Sequence, residues 1–540
     1  MHAPTPRAPH LLLRGVTNLT VEAAGATLVC LDSSSAIWFE RCRNVTVRGL
    51  AIDYDPLPLT QGTVIGFASD RSWTDVRIHD GYPEPRLNRP GQAFYWSYDR
   101  ETRLIKLGSA NRSVQSIEPR SEGVFRLDHG NHPINDTAAV GDLIRLPQKW
   151  DVAHGIQQRQ CEAVTLEDVT LYTCPGFGIA EQGGSGNVYR RVRIVPGPPP
   201  PGATEPRLFS SMLDGINLAY NRVGPVVEKC ELALTGDDGI AVYSPCAMIL
   251  QPASGCSITV SPAEEANTFM PGDRVRLYRF ADTNACEAKI VAVEKTSLNT
   301  EEIHKNTAPF DPGAAAYQFR SAWRLTLDRA CAVNAGDVCA NEDQAGCGFR
   351  IESNTVFNGG SRGIVVNQSG GVVRGNRIEH TFLPGIHMFA FMRETGSAYQ
   401  RDVTVSGNCV GWSCRGLSSH DGWCGAICIT GWDSGFQTVN GHRNITVAGN
   451  EIHHALGLNL QVHCATSVAV SDNAFADTHA VKPAAGKPRP VDNRALIYLE
   501  QTGNVRLSGN RIRNLGPFAG QGNLLVKGPY TGHVEGEIAR

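Results

Sequence analysis

Short strand-like runs recur along this chain with one grammar: an apolar alternation, a small or polar turn, then a second alternation. Asn44–Asp53 is the first clear copy, followed by Ala163–Tyr172, Asn187–Ile194 and Pro225–Leu234. Later copies are Phe349–Phe357, Gly371–Glu379, Asp402–Val410, Asn444–Ile452, Ser467–Phe475 and Asn504–Ile512. The closest starts are 22 to 24 positions apart (349 to 371, 163 to 187), and the spacings of 31 to 42 fit one coil plus a loop. Self-similarity at such a period marks a solenoid. The Val, Ile and Thr content and the period of two exclude an amphipathic helical solenoid. Six copies place Asn at the same turn position: Asn354, Asn376, Asn408, Asn450, Asn473 and Asn510. Asn tolerates the left-handed conformation such a turn needs, and stacked amides can hydrogen-bond from coil to coil. The expected fold is all-β, a right-handed parallel β-helix.

Two stretches break the rhythm, and each includes a G-D-x-[IV]-R-L phrase, Gly141–Leu146 at the end of the first and Gly272–Leu277 within the second. They read as small β-barrel-like modules inserted between coils. The expected organisation is N-terminal coils over 1–59, an inserted module over 60–148, coils with an acid cluster over 149–246, a second module over 247–340, and C-terminal coils over 341–540. The second module leaves the helix just after Tyr243-Ser244 and is expected to wall one side of the acid cluster. The loop Pro196–Gly202 also leaves the helix in the coil that holds Asp214. The net charge of −3 gives no electrostatic footprint for nucleic acid. No apolar run approaches the ~20 residues that span a bilayer. Met1–His10 lacks the apolar core of a signal peptide. The chain is therefore either cytoplasmic, or secreted or periplasmic with its signal absent from this version. Most of the 16 Cys sit singly in strand patterns, as Cys30, Cys161, Cys230 and Cys464 do, and suit a buried core. Cys409, Cys414, Cys424 and Cys428 are spaced C-x4-C-x9-C-x3-C, open to free thiols, disulfides or a metal, with neither arm the C-x2-C of a strong zinc site. Oligomeric state is not legible.

The chemistry concentrates where a D-G-I tripeptide occurs twice, at Asp214-Gly215-Ile216 and Asp238-Gly239-Ile240, the second copy preceded by Asp237. The 24 positions from Asp214 to Asp238 enclose one strand-like run, so the copies stack one coil apart and three carboxylates crowd one patch. Asp-Gly alone is a common turn. Crowding like charges is costly and raises at least one pKa, which suits an enzyme needing one carboxyl protonated and another ionised. Strands stacked ~4.8 Å apart bring the acids within a few ångströms to about ten. Carboxyls ~6.5–9.5 Å apart leave room for a water between base and sugar, the inverting arrangement.

A D-G-I segment, one coil, then G-D-D on a parallel β-helix resembles the β-helical inverting glycoside hydrolases of pectin-lyase-like fold: the α-galactosidase family 110 and, more distantly, the polygalacturonase family 28. Asn44–Thr63, with Ile52–Pro58 and Gln61-Gly62, and the two inserted modules also look like family 110. The polygalacturonase pattern departs at Met212-Leu213, at Ser361-Arg362-Gly363 and at Arg377-Ile378-Glu379, whose acid argues against a uronate subsite. The family's N-terminal phrase G-A-x-G-D-G-x-x-D-D-T is missing, which bears on whether the N-terminus is complete. The resemblance implies Asp237 as general acid and Asp214 and Asp238 as the pair that activates water. It implies an exo-acting inverting hydrolase that removes terminal α-1,3-linked galactose, with no metal and no cofactor. Substrate-binding candidates are His154 and Glu181 at strand ends on preceding coils, Arg222 and Arg362 as sugar grips or charge balance, and His387 on a later coil. Trp412, Trp423 and Trp432 suit either core packing or sugar stacking. Competing readings are a β-helical polysaccharide lyase or epimerase, a polygalacturonase-like hydrolase, and a non-catalytic carbohydrate-binding solenoid.

Overall fold

The structure, a computed structural model, describes residues 8–87, 93–130, 136–147, 153–262, 266, 268–280, 285–299, 301–302, 305, 321–392, 396–416, 425–431, 437–480, 495–519 and 525–539. It is a parallel β-helix with three ladders of strands. The first ladder stacks Ile37–Glu40, Ile156–Arg159, Ile179–Gln182, Ile216–Ala219, Ile240–Tyr243, Ile364–Asn367 and Ile386–Ala390 in parallel register. The second carries Val188–Arg190, Val226–Glu228, Arg350–Glu352 and Val372–Arg374 among its rungs. The third carries Glu231–Ala233, Thr355–Phe357, Arg377–Glu379, Cys409–Gly411 and Glu451–His453.

One position of the first ladder explains why the coils hold their registry. Ile37, Ile156, Ile179, Ile216, Ile240, Ile364 and Ile386 are successive partners and all are buried. Each buried Ile is worth ~1.5–3 kcal/mol, and a one-residue slip would turn the whole set outward. Every Ile from 156 onward in this set follows a Gly: Gly155, Gly178, Gly215, Gly239, Gly363 and Gly385. A Cβ at Gly215 would strike the Gly239 carbonyl and the Leu232 side chain, so the coils close on each other only if this position is bare. The recurring tripeptide X-G-I is thus the start of a rung, and X is the residue it presents at the corner.

The Asn repeat behaves differently from the expectation in one respect. The left-handed residue of that turn is the one before each Asn, namely Ser353, Gly375, Gly407, Gly449, Asp472 and Gly509. The Asn residues themselves form a buried amide ladder. The Asn408 Oδ1 accepts from both the backbone N–H and the Nδ2–H of Asn376, and Asn408 Nδ2 donates to the Val373 carbonyl. The same pattern joins Asn354 to Asn376 and runs on through Asn450 and Asn473 to Asn510.

Two antiparallel units interrupt the helix. The first is a six-stranded sheet that includes Leu59–Phe67, Trp73–Ile78, Val124–Asp128 and Leu143–Pro147, with a separate pair formed by Ala93–Tyr95 and Arg112–Val114. Its core is continuous with Leu208, Phe209, Met212 and Phe382 of the helix coils. The second is a closed six-stranded barrel running from Ala247–Ile249 to Val338–Asn341. It contains a disulfide, Cys286–Cys331, that the spacing of the Cys residues did not single out. Cys409 is a free thiol, Cys414 and Cys428 both donate to the Gly425 carbonyl, and Cys30, Cys161, Cys230 and Cys464 are buried as free thiols. Cys424, Trp423 and Trp432 lie outside the described residues. Among the described residues no helix is long and apolar enough to cross a membrane.

Candidate active site

The X positions before the stacked Gly-Ile pairs form a column: His154, Phe177, Asp214, Asp238, Arg362 and Pro384. Asp214 and Asp238 are therefore direct neighbours, joined at the backbone by Gly215 N–H donating to the Asp238 carbonyl. Asp237 stands one residue back, and one carboxylate oxygen from each of the three lies within 4.8 Å of the others. Two full charges that close repel by roughly 3–4 kcal/mol even at an effective dielectric of ~20. The cluster relieves this in two ways.

Arg362 supplies a counter-charge to Asp238 on the next rung. Its backbone N–H donates to Asp238 Oδ1 at 2.9 Å, and its Nη1 lies 3.4 Å from the same oxygen. The guanidinium is held in place by Nε–H donating to His387 Nδ1 at 3.1 Å and by the Phe389 ring beneath it at 4.9 Å. Burial first, and then the Arg362 and His442 charges, push the His387 pKa well below its usual value. The neutral ring then accepts at Nδ1 and pairs through Nε2 with the Thr430 hydroxyl at 2.9 Å. Tyr243 completes the set, its hydroxyl donating to Asp238 Oδ2 at 3.4 Å.

Retained protons provide the second relief. Burial, reinforced by the Asp238 charge, lifts Asp237 from 3.8 to about 6, against opposing pulls from Arg362, Ser361 and Arg145. Burial, and then the charges of Asp237 and Asp238, hold Asp214 well above the carboxylate range although Asn217 Nδ2 donates to it at 2.7 Å. A half-buried acid that keeps its proton towards neutrality, beside a carboxylate in a salt bridge, is the pairing that general acid–base chemistry uses.

The first inserted unit reaches this site directly. Arg145 donates from Nη2 to the carbonyl of Gly236, next to Asp237, at 3.1 Å, and from Nε to the Tyr98 hydroxyl. Its guanidinium lies over the Trp96 ring at 4.7 Å, and Trp96 in turn packs on Phe382. Gly360 is bare because a Cβ there would strike Trp96 and the Gly236 carbonyl. The second unit touches the far end of the same rungs, where Ala266 packs against Ala219, Tyr220 and Tyr243.

The other candidates fall into place unevenly. Arg362 and His387 join the acids. His154 stands in the acid column two rungs before Asp214, separated from it by Phe177. It stacks on that ring at 4.6 Å and accepts from the Phe177 N–H at Nδ1. Glu181 does not face the acids. It sits two residues after inward-pointing Ile179, opposite Leu218, and is buried inside the helix against Tyr189 and Asn221, where desolvation raises its pKa. Arg222 pairs with Asp273 of the barrel at 3.0 Å and fastens that unit to the helix; the counter-charge to the acids comes from Arg362 instead. Trp412 lies between His380 and His454 on the third-ladder side, stacked on both. Tyr243 and Asn217 were not among the site candidates, although each lies on a D-G-I strand. Arg145 lies in the Gly141–Leu146 phrase, but nothing in that phrase pointed to the acids, and Trp96 carries no sequence signal at all.

Fold and site together define a parallel β-helix that presents a cluster of three carboxylates with one paired arginine on its outer face, flanked by two antiparallel units. The chain resembles the β-helical glycoside hydrolases. It is 24% identical to alpha-1,3-galactosidase B of Bacteroides thetaiotaomicron over 267 residues, 46% of this chain and 42% of that protein. It is 20% identical to alpha-1,3-galactosidase A of Bacteroides fragilis over 288 residues, 50% of this chain and 46% of that protein. The chain spans less than half the length of these curated relatives. Among solved structures, the catalytic domain of a GH87 alpha-1,3-glucanase in complex with nigerose aligns over 89% of this chain and 98% of its own, with 11% identity and a TM-score of 0.33. No family model matches the chain.

Proposed function

We propose that this protein is a carbohydrate-active β-helical hydrolase, and more narrowly an exo-acting inverting glycosidase that removes terminal α-linked galactose, as an α-1,3-galactosidase does. The observation that supports acid–base hydrolysis is the acid cluster itself: Asp214, Asp237 and Asp238 with oxygens within 4.8 Å, and Asp238 in a salt bridge with Arg362. The cluster is tighter than the ~6.5–9.5 Å of the inverting arrangement, so inversion rests on the similarity to the α-1,3-galactosidases. In this reading Asp237 protonates the leaving glycosidic oxygen. Asp238, the paired carboxylate, takes a proton from the attacking water, and Asp214 orients that water through the proton it retains. Arg362, positioned by His387 and Phe389, keeps Asp238 aimed. The similarity to the Bacteroides α-1,3-galactosidases supports galactose as the sugar.

The test is a screen of chromogenic α- and β-glycosides and α-1,3-galactosyl oligosaccharides, with the first-formed anomer followed by NMR. Release of β-galactose from an α-linked substrate is expected. Release of α-galactose would overturn inversion. An absorbance rise on uronate polymers, from unsaturated product, would overturn hydrolysis.

A further inference from the structure

On the third ladder, three different donor types meet across consecutive rungs. Glu379, Cys409 and His453 come from Arg377–Glu379, Cys409–Gly411 and Glu451–His453, and one ligating atom of each lies within 4.8 Å of the others. Glu379 and His453 hold the same register position two rungs apart, with Gly411 between them. Their backbones are therefore ~10 Å apart. Their side chains nonetheless meet, His453 Nε2 lying 3.1 Å from Glu379 Oε1, because Gly411 leaves the intervening position bare. A Cβ there would strike both the imidazole and the carboxylate. Cys409 shares the outward face with Gly411, since Val410 between them is buried in the core. His453 is fixed from behind: its Nδ1 lies 3.1 Å from His454 Nδ1, and His454 stacks on Trp412 at 4.5 Å.

We propose that Glu379, Cys409 and His453 form a binding site for a zinc-class divalent cation that staples three coils of the helix together. Carboxylate oxygen, imidazole nitrogen and thiolate sulfur form a mixed set that Zn²⁺ accepts and that hard cations such as Mg²⁺ do not favour. A hydrogen bond at the other ring nitrogen is the usual outer support of such a ligand, and His454 occupies that place here. Arg377 now closes the cluster, with Nη2 2.8 Å from Glu379 Oε1 and Nη1 donating to Cys409 Sγ at 3.8 Å. Its side chain is 62% exposed, so it can swing into solvent as the metal enters.

The experiment is titration of the metal-stripped, reduced full chain with Co²⁺ and Zn²⁺, read by the thiolate-to-cobalt charge-transfer band and by Tm. One equivalent is expected to give the band and raise Tm. Cys409→Ser and His453→Ala, each shown folded by circular dichroism, should lose both signals. Asp237→Asn should keep them, which separates this site from the acid cluster. Arg377→Gln should bind at least as tightly, because a competing cation has gone. A folded wild type without band or Tm shift, or a band that survives Cys409→Ser, overturns the proposal.

Discussion

Two columns of polar side chains run along this helix, and they are built to opposite ends. In the Asn column every amide is matched: the Oδ1 atoms of Asn376, Asn408, Asn450, Asn473 and Asn510 each take two donors from the preceding coil, that of Asn354 takes the Cys230 N–H, and each Nδ2 is spent on backbone carbonyls or the next amide. In the column of Asp214, Asp238 and Arg362, with Asp237 beside it, like charges are pressed together, and among the described residues the salt bridge is made by Asp238. The first arrangement is what a solenoid does with a buried polar residue when stability is the only requirement. The second carries a cost that the flanking isoleucines, at ~1.5–3 kcal/mol each, are able to absorb. Stored electrostatic strain of this kind points to chemistry.

The sharpest way to separate the columns is to take one member from each. Asp237→Asn is expected to cut kcat by roughly 10²–10⁴-fold, the usual loss of a general acid, with substrate binding retained. Its stability should move the other way. A carboxyl raised from 3.8 to about 6 gives the wild type a contribution that is present below the unfolded value and lost as pH climbs through about 6. Asp237→Asn should therefore be as stable as wild type near pH 4 and more stable at pH 8, measured by thermal unfolding at both. A variant that is less stable at pH 8 would break the comparison.

Asn408→Leu should do the reverse. It strands the backbone N–H and Nδ2–H of Asn376 and the Val373 carbonyl. At ~1–3 kcal/mol per buried unpaired group, the loss is at least roughly 3 kcal/mol in chemical denaturation, with kcat of the folded fraction unchanged. Arg362→Gln lies between the two. It leaves Asp238 without its counter-charge, and kcat/KM is expected to fall ~10–100-fold. The smallest effect is that of Arg145→Gln. Arg145 pulls the Asp237 pKa down, so its removal should move the alkaline limb of the pH–rate profile to higher pH. A shift to lower pH would show that Asp237 is not the acid.

Much of this was legible in the residues. The repeat, the Asn ladder and the stacking of the two D-G-I segments follow from periodicity, because a parallel coil returns each position to the same face. Counting from the rung start also places Glu181 correctly: Ile179 points inward, so the residue two further on does too, and only its identity as an acid suggested otherwise. The X-G-I recurrence sets Arg362 directly above Asp238 once His154, Phe177, Asp214, Asp238, Arg362 and Pro384 are aligned together. The Asn turn misled in the other direction, since the left-handed residue precedes the Asn.

The chain's own order of residues determined the helix, its registry and the meeting of Asp214 with Asp238, because each rests on a short repeat that neighbouring coils share. The tertiary structure alone decided that Arg145 and Trp96 back the acid cluster, that Arg222 fastens the barrel, and that Glu379 reaches His453 across Gly411. Those contacts join segments with no common period, or skip a rung entirely. Their partners are chosen by how separately folded surfaces pack, and no spacing along the chain encodes that.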